Sequence, residues 1–96
     1  MIHQLKTITP FIDFGFGITQ LNTTANTPFT VWLQTLYNQN AYTFTLMATN
    51  GQVTQISNYE YIVVYPEPGT YQINITVDSA NKRISLDSNI LTVIVT

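Results

Sequence analysis

Charge is the scarcest property of this sequence. Asp, Glu, Lys and Arg together make up 8% of the chain, against about a quarter of an ordinary soluble domain. The basic residues are Lys6, Lys82 and Arg83, and the formal net charge is -2. That charge creates no field to draw a polyanion, so nucleic acid is not expected as a partner. Cysteine is absent, which excludes a disulfide framework and a thiolate nucleophile and leaves the redox compartment open. The single histidine, His3, lies close to the N-terminus and is a poor base for a Ser-His-Asp site. The acids Asp13, Glu60, Glu67, Asp78 and Asp87 are scattered, without the paired placement that glycoside hydrolysis needs. Neither catalysis nor a cofactor is expected.

Long apolar runs are missing too. No stretch reaches the roughly 18 to 20 residues of a membrane span, so membrane insertion is not expected. MIHQLKTITPF lacks the apolar centre and small-residue cleavage site of a secretory signal. The usual surface helix formers Ala, Glu and Lys are scarce, and no helical period of useful length can be found. Hydrophobic residues are nonetheless an ordinary 45% of the chain, so it can build a core. Its polar surface must come from neutral Thr, Asn, Gln and Ser. Thr, Val, Ile and the aromatics suit a pleated, half-buried surface. Ninety-six residues suffice for one core, so residues 1–96 are expected to form one domain.

Breaks near Pro10, Gly15 to Gly17, Asn22 to Pro28, Asn38 to Asn40, Asn50-Gly51, Pro66 to Gly69 and Asp78 to Lys82 leave segments of strand length. Several alternate with period two. Phe29, Val31 and Leu33 oppose Thr30, Trp32 and Gln34, while Tyr42, Phe44 and Leu46 oppose Thr43, Thr45 and Met47. Tyr71, Ile73, Ile75 and Val77 oppose Gln72, Asn74 and Thr76, giving one core face and one wet face. Residues 1–20 are expected to hold a first strand, with Phe14, Phe16 and Ile18 on one face, or an arm that adds to a neighbour's sheet edge. The pattern predicts an all-β, immunoglobulin-like antiparallel Greek-key sandwich of about seven strands.

The stretch YPEPGTYQINITV is the most regular piece. Pro68 and Gly69 suit a type II turn, and Tyr71 directly after it, opening the penultimate strand, matches a tyrosine corner whose phenol bonds the backbone just upstream. Pro68, Gly69 and Tyr71 are therefore expected to form a structural corner rather than a binding site.

NTPFTVWLQ, NAYTFTLMATNG, YEYIVVYPEPGTYQINITVD and NILTVIV resemble the successive strands of a PKD-type immunoglobulin-like domain, over about Asn26 to Val95. The form is divergent, with TFTLMATNG where that family carries Trp-Asp-Phe-Gly-Asp-Gly. The resemblance implies a non-catalytic spacer, adhesion or assembly module, similar to those of archaeal surface-layer, pilus-like or archaeal-virus structural proteins. It also implies an extracellular, cell-surface or virion location. A surface of neutral groups changes little as carboxylates protonate, so the fold is expected to survive to about pH 2.

Among individual residues, Trp32 is expected to point outward as a contact anchor. Ile62 and Val64 oppose Tyr61, Val63 and Tyr65, and Ile90 and Ile94 oppose Leu91, Val93 and Val95. A strand apolar on both faces must be covered on both, so these positions imply self-association or a neighbouring domain as partner. The alternative is a carbohydrate- or ligand-binding module built on exposed aromatics. Asn22-Thr23-Thr24 and Asn74-Ile75-Thr76 are N-glycosylation patterns. Asp78 and Asp87 flank the last hairpin with Ser79, Asn81 and Asn89 nearby, a thin start for calcium, and they read better as turn residues. Asp13-Phe14-Gly15 lacks every other element of a kinase site.

Overall fold

The computed structural model describes residues 9–96, and all their regular structure is strand. The strands are β1 (Ile12–Asp13), β2 (Gln20–Thr23), β3 (Phe29–Leu33), β4 (Tyr42–Met47), β5 (Gln52–Gln55), β6 (Glu60–Val64), β7 (Gly69–Ser79), β8 (Ser85–Asp87) and β9 (Leu91–Val95). They form a two-layer sandwich. One sheet has the order β1-β3-β6-β5, the other β2-β9-β7-β4, with β8 also paired to β7. The part of the expected first strand or arm that falls on residues 1–8, and with it His3 and Lys6, lies outside the described residues.

The nine segments are seven passes of the chain, because two passes are interrupted. The first begins as β1 against β3, with Ile12 opposite Leu33, and then changes sheets to become β2. β2 runs parallel to β9, from Gln20 opposite Thr92 to Thr23 opposite Val95. The sandwich is therefore mixed rather than wholly antiparallel. The second interruption divides β8 from β9. Asp87 lies opposite Thr76 and Leu91 opposite Ile73, so Ser88, Asn89 and Ile90 face only Ile75 and Asn74. This extra residue is a β-bulge.

The core lies between the sheets. Val31, Val63, Ile73, Ile75, Val77, Leu91 and Val93 are wholly excluded from solvent, and Leu33, Tyr61 and Val95 nearly so. Each such burial is worth about 1.5 to 3 kcal/mol. Alternation along β3, β6, β7 and β9 sends these residues inward, leaving Thr, Asn and Gln outward on β7 but Trp32, Ile62, Val64 and Ile94 among the outward residues of the others. Aromatic rings fill both ends. Phe14, Phe29, Tyr65 and Tyr71 form a file at one, while Tyr37, Tyr42, Phe44 and Tyr59 cluster at the other.

Two local expectations are corrected. Residues 14–18 are a tight loop, not a strand with Phe14, Phe16 and Ile18 on one face. Asp13, only 2% exposed, accepts hydrogen bonds from the amides of Gly15 (3.0 Å) and Gly17 (2.9 Å) and from Gln34 Nε2 (3.0 Å). Phe14 N also donates to Ile18 O at 2.8 Å. A side-chain acceptor this close outcompetes a strand ladder for the local amides, and positive φ at Gly15 (109°) and Gly17 (76°) closes the loop. Gly69 is the second correction. Its φ of 158° is far from the roughly +80° of a type II turn. A Cβ there would sit 3.2 Å from Tyr71 Cζ and Oη, so the tyrosine ring would have to give by a few tenths of an ångström.

Candidate functional site

The corner residues come together at the start of β7. Tyr71 Oη donates to Glu67 O at 2.7 Å, with Pro68 O at 3.5 Å, so the phenol ties its own strand to the preceding loop. Its ring stacks on Tyr65, with centroids 3.9 Å apart and planes 12° apart. Tyr65 in turn lies under the turn joining β4 to β5, where a Cβ on Gly51 would come within 2.9 Å of its ring. Among the described residues, the buried Tyr65 hydroxyl has no hydrogen-bond partner. Burial, with Tyr71 adding to it, pushes its pKa up to about 12. Burial does the same to Tyr61, also to about 12, although its hydroxyl donates to Asn58 O at 2.8 Å.

The five contact candidates divide between two opposite surfaces. Trp32, Ile62 and Val64 occupy the outer face of the β1-β3-β6-β5 sheet. There Trp32 lies between Asp13 and Glu60, and Ile62 between Thr30 and Thr54. Trp32 is 37% exposed, and Ile62 and Val64 are half-buried. Ile90 and Ile94 belong to the outer face of the other sheet, Ile94 between Asn22 and Thr70. No single face holds all five. Both glycosylation candidates, Asn22 and Asn74, share the face with Ile94, and Asn74 pairs with Met47 across β4.

This second face carries two shallow hollows. One, of about 510 Å³, is bounded by Met47, Asn50, Tyr71, Gln72, Asn74 and Ile90. The other, of about 460 Å³, is bounded by Asn22, Thr23, Thr24, Ile94 and Thr96. Both offer neutral hydrogen-bonding groups around an apolar side chain. Tyr61, the one tyrosine of β3, β5 and β6, faces inward, so among the residues of these strands no tyrosine stands beside Trp32.

Several of the oxygens weighed for calcium make hydrogen bonds within the fold. Ser79 Oγ and Asn81 Oδ1 are 2.6 Å apart within their own turn, and Asp87 Oδ1 accepts from Thr76 Oγ1 at 2.9 Å. Asn89 reaches across to the other sheet. Its Oδ1 accepts from Ile12 N at 2.7 Å and its Nδ2 donates to Ile12 O at 2.9 Å. Among the described residues, no three His, Cys, Asp or Glu side chains gather as metal ligands.

Sequence reasoning missed Phe16. Its side chain is fully exposed, and its own φ is positive at 54°, between two glycines that also have positive φ. A non-glycine residue in that region costs about 1 to 2 kcal/mol, and the Asp13 hydrogen bonds hold it there. The signal was available in a carboxylate placed two and four residues ahead of glycines. No protein-family model matches this chain, and no curated protein is similar to it.

Proposed function

We propose that the chain is a non-catalytic structural module of a cell-surface or virion assembly, an immunoglobulin-like domain related to the PKD type, which acts by packing against protein. The observation that carries this reading is that β6 is apolar on both sides. Tyr61 and Val63 fill the core, while Ile62 and Val64 face outward on the sheet face that also carries Trp32, Ile62 diagonal to it and Val64 one step further along β6. Apolar groups gathered on an outer sheet face mark a surface that another body covers. The strand order supports the immunoglobulin-like assignment, since β1-β3-β6-β5 against β9-β7-β4 follows the arrangement of such sandwiches. The Tyr71 to Glu67 bond supports it as well. Phe16, fully exposed at the tip of the 14–18 loop, supplies a further anchor. A partner meeting these surfaces encounters few fixed charges, so recognition rests on shape and neutral hydrogen bonds.

The test is solution mass over a concentration series, for the natural chain and for Trp32→Ala. Association that weakens in the variant is expected. A monomer indifferent to the substitution would remove the Trp32 face from consideration as a self-contact.

A further inference from the structure

We propose that the free edge of β4 is a second interface, at which another copy of this chain pairs antiparallel and extends the β2-β9-β7-β4 sheet across a two-fold axis. β4 ends its sheet, with β7 on one side only. Backbone directions follow from the ladder. Ala80 N donates to Ala41 O at 2.8 Å, and Ser79 N and Ile75 O bond on the side away from β4. In an antiparallel pair, successive residues turn their amides to opposite sides. Thr43, Thr45 and Met47 therefore bond β7, and the amides and carbonyls of Tyr42, Phe44 and Leu46 point off the edge. Among the described residues, nothing bonds them.

Sheet edges in natural proteins are shielded by lysine, proline, bulges or a covering segment. The other side of this sandwich shows such cover, since Asn89 occupies both backbone groups of Ile12. Among the described residues, β4 has none of these devices. Its six residues, YTFTLM, contain no charge, proline or glycine. Its inward side chains are also left unfinished. Tyr42, Phe44 and Leu46 are only half-buried, while Ile75 and Val77, opposite Leu46 and Phe44, are wholly buried. The neighbouring β5 does not close the gap, because all four of its residues are exposed.

A second copy fits this edge by symmetry. Pairing about Phe44 sets Phe44 opposite its equivalent, Tyr42 opposite Leu46, and Thr43 opposite Thr45. Aromatic and threonine cross-strand pairs of this kind are favourable. No charges oppose one another along the edge, and the small net charge of -2 gives copies little mutual repulsion. The contact is isologous, so it closes as a dimer.

Thr43 and Thr45 are exposed and point away from the core, so substitutions there test the edge without threatening the fold. With the outer face disabled by Trp32→Ala, sedimentation equilibrium of the otherwise unchanged chain is expected to show a dimer. In Thr43→Lys/Thr45→Lys the introduced ammonium groups meet across the axis, and dimer affinity should fall at least about tenfold. Thr43→Lys/Thr45→Glu places opposite charges together and should restore it. Amide exchange at Tyr42, Phe44 and Leu46 should slow on association. A chain that stays monomeric at every concentration, or a double-lysine variant that associates like the natural chain, overturns the proposal. Trp32→Ala separates the two surfaces, since it should leave edge pairing intact while weakening contacts through the outer face.

Discussion

Tyr65 and Tyr71 place the same ring and the same hydroxyl in contact, with opposite consequences for stability. The Tyr71 phenol makes a 2.7 Å bond, and Tyr71→Phe should lower unfolding stability by about 1 kcal/mol. The Tyr65 hydroxyl is buried and, among the described residues, unpaired, so Tyr65→Phe should raise stability by about the same amount, because an unsatisfied buried group is removed without leaving a cavity. Urea unfolding of both variants checks the pair of signs. Tyr71 was legible in the sequence from its place after Pro68 and Gly69. Tyr65 was not, because its isolation depends on a turn some fifteen positions earlier folding over its ring. The outward direction of Trp32 was legible from simple alternation, which holds wherever one side of a strand is core.

Among elements, the strands with a full inner face were readable and the interrupted ones were not. β3, β4, β7 and β9 follow their apolar period closely. Residues 14–18 also alternate, yet Asp13 and two glycines turn them into a loop, a competition that periodicity does not register. The bulge between β8 and β9 escaped for a similar reason. Asn89 reads as a turn residue with a spare oxygen, whereas in the fold it serves β1 as a substitute strand. Asn89→Ala should strip both backbone partners from Ile12, which is wholly buried. We expect a loss of about 2 kcal/mol and markedly faster amide exchange at Ile12, with exchange at Val93 in the opposite sheet changed only by the global loss. Equal acceleration at both sites would show that Asn89 does not act through β1.

For the whole molecule, composition foretold the class, since a chain rich in Thr, Val and Ile and poor in charge builds sheets. Which strands would neighbour one another was beyond it, because pairing across two layers is settled by crossovers rather than by local pattern. The same composition governs pH dependence. Few carboxylates titrate on the acid side, so circular dichroism should remain native-like to about pH 2. The alkaline side should differ. Tyr61 and Tyr65 have pKa values raised from 10.0 to about 12 in the fold. Between those values the unfolded chain has released protons that the folded chain retains, so rising pH draws the equilibrium toward unfolding. Their contribution is complete below pH 10.0 and is lost as pH climbs through about 12. A thermal midpoint that stays level over that interval would contradict the burial assigned to the two phenols.

The parallel run of β2 beside β9 bears on how the module would carry tension. The described chain enters this pair at the head of β2 and leaves at the foot of β9, and parallel strands place those two points at opposite ends. Rungs from Thr92 N to Thr19 O and from Thr96 N to Thr23 O, each 3.0 Å, bracket the overlap. Force drawn between the two points would slide the strands lengthwise and load every rung together, as in a lap joint, instead of opening them one at a time as in a zip.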